Sequence, residues 1–481
     1  MLASAAAPPV QRPISMEECL KLALEHNLDI RIQRLGPRMA RLNLDNAYAP
    51  YDPTLATGFN NNYNSSPTGV DAQGRPYPST VSTSDGFSSS VSGAGPLGLS
   101  YSTGLQMNDT LTTRPLAAPF EVSSAFAGVS LTQPLMRNFW IDATRMNIAL
   151  RRRDLKSSQE DLRQTVIATV SAVQTAYYSL IAARETVTVQ RKALDLAEEL
   201  LRENHKRVQV GVLAPLDEKQ SESAVAASRA DLLGALNSVV SAQNALKSLL
   251  SDNYSQWKDV ELVPSEKLSK TAHVLNHQDS WGKGLTLRPD LIKARLDLEQ
   301  RHITVRYTRN QLYPQLDLRG SYGYSGSGVE YADALGGVRS QRDAAYSFGL
   351  QFSMPLTSRA ARTNYRLARE SVEQALLMYK RLEQSILIEI DNAIAQAQTR
   401  LQQVEATGAA VVYAEAALDA EQKKLDNGKS TNFQVISLQR DLTLRRYEEI
   451  AALVGYNNAL VSLAQSEGAT LQRNGIRLDF Q

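Results

Sequence analysis

The chain has 481 residues, 43% of them hydrophobic and 21% charged, with a formal net charge of +2. That balance suits a folded protein of roughly two to four domains and leaves no electrostatic footprint for nucleic acid. The single cysteine, Cys19, excludes an intramolecular disulfide, so bridges say nothing about the compartment.

In chain order, "MLASAAAPP" lacks the charged n-region and apolar h-region of a secretory signal. It reads either as a mature exported start behind an added Met or as a natural cytosolic start. In "ISMEECLKLALEHN", Ser15 and Glu18 have capping-box spacing and Ile14 and Cys19 that of a hydrophobic staple. Cys19 is therefore expected as a packed helix residue, not a lipid anchor or a reactive thiol. A helical run then ends at the Tyr-containing Pro site "AYAPYDPTL". Candidate strands follow at 54–64 and 120–133, although Asn60 to Asn62 weaken the apolar face of the first. The Gly-, Ser- and Asn-rich stretch between 60 and 96 reads as exposed loop, and 87–109 as a possible additional hairpin.

The segment from Gln164 to Ala183 holds no charge, yet Gln164, Thr165, Thr169, Ser171, Gln174, Thr175 and Ser179 make it a poor lipid-spanning helix. It belongs instead to a long helix with strict seven-residue spacing: Val166, Val173, Leu180, Val187, Leu194, Leu201 and Val208. Such a repeat implies under-wound helices that supercoil left-handedly against neighbours. Running from about 135 to 210, the helix would reach on the order of 110 Å. In "HKRVQVGVLAPLDEKQ" the pattern meets Gly211, passes Pro215 and resumes in a second helix rich in Ala and Ser.

The same sequence of features then recurs. "IKARLDLEQRHITVRYTRNQLYPQL" repeats the earlier helical run, with Pro53 and Pro314, and Asp29 and Asp290, both 261 apart. "VSLTQPLMRN" matches "LQFSMPLTSR" with Pro134 and Pro355 offset by 221, and Gly211 matches Gly428 at 217. At that last offset the heptad positions become Glu383, Ile390, Ala397, Val404, Val411, Leu418 and Leu425. Between them lie two amphipathic strands. Leu316, Leu318, Gly320, Tyr322 and Tyr324 share one face of the first, and Tyr346, Phe348, Leu350, Phe352 and Met354 one face of the second. Aromatic-bearing strands of about ten residues with one apolar face match the outer-membrane barrel pattern, with an amphipathic hairpin over a soluble core as the other reading.

No catalytic constellation is present. His273 and His277 are four apart but lack an HExxH context. Pairs such as Glu198–Glu199 read as solvated helix surface. No catalytic, cofactor or metal site is assigned, and function is expected to come from shape.

Whole-chain duplication, the YxP and LYP strand starts, the "QPL" and "MPL" strand ends, heptad-bearing helices and Gly-centred reversals together resemble the TolC-type outer-membrane efflux proteins. The resemblance covers roughly Ser15 to Glu467. It implies a mainly α chain with a membrane β-barrel: an internally duplicated protomer of a homotrimer. Each copy would give four strands to one 12-stranded barrel continued by a 12-helix periplasmic α-barrel. It also implies a passive outer-membrane exit duct for a tripartite pump or type I secretion, meeting a periplasmic adaptor (membrane fusion protein) and an inner-membrane pump.

The corresponding division is 1–48, an N-terminal equatorial segment with the first helices; 49–134, the first strand pair with its insertion; and 135–252, the first helix hairpin. There follow 253–289, an equatorial linker; 290–313, a helix; 314–356, the second strand pair; 357–467, the second helix hairpin; and 468–481, a tail. The implied adaptor-contact tips are Gly211, Val212, Leu213 and Ala214 with Gly428, Lys429, Ser430 and Thr431. The implied periplasmic gate comprises Asp217, Leu425, Asp426, Gln434 and Ser437. Asp217 fits the family's acidic position, with helix capping as its other reading. Gln434 and Ser437 stand where well-known members carry an Asp pair, and Leu425 replaces an aromatic. A less acidic constriction is expected. The competing classes are a coiled-coil scaffold, which leaves the aromatic strands unexplained, and a periplasmic adaptor, which lacks the whole-chain duplication.

Overall fold

The computed structural model describes residues 10–70, 72–77, 79–113, 118–211, 213–272 and 275–477. The described elements run β1 (Val10–Ile14), α1 (Met16–His26), α2 (Leu28–Asn46), β2 (Thr54–Ser66), β3 (Gly69–Val70), β4 (Pro76–Tyr77), β5 (Thr80–Ala94), β6 (Ser100–Thr113) and β7 (Phe120–Pro134). They continue with α3 (Ala143–Gln209), α4 (Pro215–Leu250), α5 (Tyr254–Trp257), β8 (Val260–Pro264), α6 (His277–Leu287), α7 (Pro289–Asn310), β9 (Gln315–Gly328), α8 (Tyr331–Ser340) and β10 (Asp343–Ser353). Last come α9 (Arg359–Asp426), α10 (Asn432–Ser466) and α11 (Thr470–Arg473). Two units result, one of residues 1–38, 157–295 and 378–481, the other of 39–156 and 296–377.

The first unit is helical. Its main core gathers Val166, Val170, Val173, Tyr177 and Leu180 of α3 with Ile14, Cys19, Leu246, Leu250 and Leu262. One side of the uncharged stretch 164–183 is therefore covered by protein, while Gln164, Ala168, Ala172, Thr175 and Ser179 stay exposed. Each fully buried aliphatic side chain there stabilises by roughly 1.5–3 kcal/mol. The Tyr177 hydroxyl donates to the Ile14 carbonyl (3.1 Å), so its polar tip is satisfied where the ring is buried. β1 pairs in parallel with β8, and Arg12 lies over the Trp257 ring at 5.2 Å.

Ser15 caps α1 by accepting from the Glu18 N–H, but Glu18 does not return the bond. Its carboxylate pairs with Arg12 at 2.6 Å, so the capping box is only half formed. Cys19 is fully buried, and burial pushes its thiol up to about 12, as an inert core residue requires.

The two heptad series part company. Ile390, Ala397, Val404, Val411, Leu418 and Leu425 are all buried, as strict spacing predicts. In α3 the series holds through Val187. Burial then moves to Ala197, Leu200 and Asn204, leaving Leu194, Leu201 and Val208 half-buried. There α3 packs a different side, with Leu200 joining Ala224 of α4, Leu418 of α9 and Val435 of α10. α3 starts at Ala143, later than expected, because 135–142 form turns. There the Arg145 guanidinium donates to the Asn138 and Phe139 carbonyls (2.7 and 2.8 Å).

The second unit holds a six-stranded antiparallel sheet ordered β10-β9-β7-β6-β5-β2, with β3 and β4 paired separately. This corrects the expectation of four strands, because six share the sheet. The hairpin expected within 87–109 is β5–β6, and it lies between β2 and β7 in the sheet. The stretch 60–96 is mostly strand, not loop. Asn60, Asn62 and Asn64 occupy alternate positions, so they fill one face of β2 and leave Phe59 and Tyr63 on the other. The Leu135 N–H donates to the Leu316 carbonyl (2.7 Å) and the Arg137 N–H to the Pro314 carbonyl (3.3 Å). The "QPL" strand end thus sits beside the "LYP" strand start.

Candidate functional site

Two places carry geometry that composition alone does not explain. The first is the pair of helix reversals in the helical unit. α4 and α10 start 217 residues apart, and Gly211 and Gly428 both adopt left-handed φ, 75° and 70°. Only glycine takes that conformation without strain. At the second tip the Gly428 N–H donates to the Leu425 carbonyl (3.0 Å) and the Lys429 N–H to the Lys424 carbonyl (2.8 Å), a Schellman closure. At the first, the Gly211 N–H donates to the Val208 carbonyl (3.0 Å) and the Leu213 N–H to the Arg207 carbonyl (3.3 Å).

Just above the turns is a buried polar cluster. Asn204 Nδ2 donates to Ser221 Oγ (2.8 Å) and to Asn432 Oδ1 (2.7 Å). Asn432 Nδ2 donates to Ser221 Oγ (3.1 Å) and to the Asp217 carbonyl (2.9 Å), which also accepts from Ser221 (3.0 Å). Asn204, Ser221 and Asn432 are all buried, so the cluster fixes α3, α4 and α10 in one register. At the surface, Arg207 reaches Asp426 at 2.9 Å, joining the ends of α3 and α9. A cleft of about 240 Å³ beside this pair is lined by Glu199, Glu203, Gln422, Leu425 and Asp426, among others.

The second place is the sheet. Directly paired residues share a face. One row reads Leu55, Val91, Thr103, Val129, Tyr322 and Tyr346 across all six strands. Apolar rows extend from Leu316–Phe352 at one end to Phe59–Phe87–Met107–Ala125 at the other. Beyond the last, Asn61, Asp85, Asp109 and Ser123 form a polar row. With about 3.3 Å per residue the band covers about 33 Å of strand. At a tilt of about 40° it would stand about 25 Å tall, the height of a barrel's lipid-facing band.

Phe59, Tyr63, Tyr346, Phe348, Leu350 and Phe352 lie exposed on this face, and Trp140, Tyr313 and Leu356 are exposed where the strands give way to helix. The opposite face is mainly Ser, Thr, Asn, Gln and Gly, with Phe120, Val122 and Phe126 of β7 as apolar exceptions and charge only at Asp317, Arg319 and Asp343. α8 covers the end of the apolar face at Met107 and Ala125, and the rest lies open; an apolar face opposite a polar one is the arrangement of a wall between lipid and water.

The family model for "Outer membrane efflux protein" matches residues 19–251 and 283–469. The chain belongs to the outer membrane efflux protein family. It is 24% identical over 314 residues to outer membrane protein OprJ of Pseudomonas aeruginosa, covering 65% of this chain and 64% of that protein's length. It is 22% identical over 365 residues to outer membrane protein TolC of Vibrio cholerae, covering 73% and 80%. The fold is shared with the crystal structure of the outer membrane protein VceC from Vibrio cholerae (TM-score 0.67, 16% identity, 94% and 96% covered).

In this efflux-family chain, the residues singled out in the sequence fall into separate environments. Asp217 is half-buried in the first turn of α4, where its N–H bonds to the Ala214 carbonyl (3.0 Å), and its carboxylate makes no hydrogen bond or ion pair among the described residues. Gln434 occupies the matching position of α10, where its N–H is capped by Thr431 Oγ1 (3.4 Å). Gln434, Ser437 and Asp426 are exposed. Leu425 is not. It packs with Leu200, Leu418, Val435 and Ile436 inside the hairpins, so it is a wall-packing residue and cannot narrow an opening.

Ser430 donates to Glu421 (2.5 Å), and that bond with the Lys424 ammonium holds the Glu421 carboxyl below its usual range. Val212 and His273 lie outside the described residues. His277 starts α6 and pairs with Asp391 at 3.0 Å. Sequence reasoning missed Arg207 and the Asn204–Ser221–Asn432 cluster. Asn204 was findable as a polar residue three positions after the heptad Leu201, on the core side of the helix.

Proposed function

We propose that this chain is the outer-membrane exit duct of a multi-part export machine. In this reading it is a passive channel, with the strand face from Leu316 to Phe59 in lipid and the hydroxyl-rich face toward water. The observation that carries the reading is the sheet itself, with one face apolar for about 25 Å, open along β2 and β10 and covered by α8 only at Met107 and Ala125, and the other mainly polar, in a member of the outer membrane efflux protein family. Three copies would close the wall, since a barrel must leave no strand edge in lipid. Energy would be supplied by an inner-membrane pump acting through a periplasmic adaptor. The chemistry is physical passage, with no bond made or broken.

The helix tips are the proposed mouth. Gly211, Leu213 and Ala214 with Gly428, Lys429, Ser430 and Thr431 would meet the adaptor, with Val212 in the same turn. Asp217, Asp426, Gln434 and Ser437 would line the opening, and the Arg207–Asp426 pair would help hold it shut. Asp217 would be its chief uncompensated charge, because Asp426 is paired and Gln434 is neutral.

Fractionation of the full chain tests the reading. It is expected in the outer membrane as a trimer, and a freely soluble chain sinks it. Single-channel recording of Asp217→Asn tests the gate, with weaker cation preference and weaker block by divalent cations expected. Unchanged selectivity and block would remove Asp217 from the role.

A further inference from the structure

The hairpin β5–β6 is part of the wall. Its strands hydrogen-bond to β2 on one side and β7 on the other along nearly their whole length. They keep the same two faces as their neighbours, with Phe87, Val91, Leu105 and Met107 on the apolar side and Ser88 and Ser102 on the polar side. α8 braces the junction. The Tyr331 hydroxyl donates to the Asp85 carbonyl (2.8 Å), and Ala334 packs against Met107 and Ala125. Gly326 of β9 lies under α8 so closely that any side chain would strike the Ala334 carbonyl. A plug or a surface flap would not be paired to a neighbouring strand along both of its edges in this way.

The sheet ends in two open edges. β2 is exposed along its whole length and β10 along nearly all of it. Successive neighbours are antiparallel and the strand number is even, so β10 of one copy meets β2 of the next in antiparallel sense. One copy cannot serve as a duct by itself. Six strands at about 4.8 Å spacing and a tilt of about 40° would close at a backbone diameter of about 12 Å, which side chains fill.

We propose that the partner for both edges is a second copy of this chain and that three copies close an eighteen-stranded barrel. The step rests on the trimeric duct reading above. The wall then has a backbone diameter of about 36 Å, against about 24 Å for twelve strands. Barrels of sixteen to eighteen strands enclose an aqueous channel. Such a wall would pass large hydrated cargo with few fixed charges in its path.

Electron microscopy of the full chain in lipid nanodiscs, with native mass spectrometry for copy number, tests this. The expected result is three copies around a ring about 36 Å across at the backbone. Three copies around a ring of about 24 Å would overturn the eighteen-stranded wall while leaving the duct reading intact. Two copies sharing twelve strands would overturn the proposal as well, and a chain that forms no membrane ring would sink the duct reading itself. A variant lacking residues 80–113 is expected to keep three copies and shrink the ring by about one third. An unchanged ring would overturn the proposal. Should that variant fail to fold, the ring diameter of the unmodified chain still decides.

Discussion

The two helix tips share a left-handed glycine and one spacing but differ in chemistry. Each closes on a glycine with φ near +70°, and each second helix starts four residues later. The first tip starts its helix with Ala214, which offers no side-chain cap, and Pro215, whose missing N–H is no loss at that position. The second uses Thr431, whose hydroxyl caps the Gln434 N–H. At the offset of 217, buried Asn204 of the first corresponds to Glu421 of the second, which is tied to Ser430. The glycine φ and the spacing to the next helix are therefore held constant while polarity changes around them. The first tip is locked from inside by Asn204, and the second from its rim by Glu421.

The largest expected effect breaks the inner lock. Asn432→Ala removes the acceptor for Asn204 and two donors, leaving buried polar groups unmatched at a cost of about 2–3 kcal/mol. Because α3, α4 and α10 meet there, hydrogen exchange should accelerate on both sides of the first tip. A change confined to α10 would show that the cluster does not couple the helices. The next effect asks whether the backbones are equivalent. Gly211→Ala and Gly428→Ala should each cost about 1 kcal/mol, since a Cβ at either meets no neighbour and only the left-handed φ resists it. Local stabilities from hydrogen exchange that differ by much more than that would mean the tips are not the same turn.

What the sequence disclosed follows from how local each feature is. The tips were legible because a glycine's φ is a one-residue property, and the second hairpin because Ile390 to Leu425 keep strict spacing in a straight run. β9 and β10 were legible because aromatics mark one face at every second position. β5 was harder to see. Ser82, Ser84, Ser88 and Ser90 are loop residues by composition, and only Val81, Phe87 and Val91 report the alternation. α8 gains its stability from contact with Met107 and Ala125, far away in the chain, so local pattern could not announce it. The Asn204 cluster joins residues 17, 211 and 228 apart, a spacing set by packing alone. The burial of Leu425 among Leu200, Leu418 and Val435 has the same origin. Its heptad position said core, and the resemblance said gate.

Smaller effects sharpen the contrast. Thr431→Ala should cost about 1 kcal/mol, and Ala214→Ser should return a comparable fraction of that at the first tip, both read as hydrogen-exchange protection in the first turn of the second helix. Arg207→Ala removes a partly exposed ion pair and should cost under about 1 kcal/mol, fading in high salt.

The last expected difference is in acid. The Ser430 hydrogen bond and Lys424 hold the Glu421 carboxyl below its unfolded value, so its stabilising contribution is complete above that value, near pH 4.3. It is lost as pH falls through the lower folded value. Protonation weakens the bond from Ser430 and the pairing with Lys424, loosening the rim of the second tip, while the neutral Asn204 lock is indifferent. Hydrogen exchange corrected for intrinsic rate should therefore show amides near Ser430 losing protection as pH falls below about 4.3, before those near Gly211. Glu421→Gln should abolish that acid response. Equal loss at both tips, or a response that survives the substitution, would place the acid-sensitive group elsewhere.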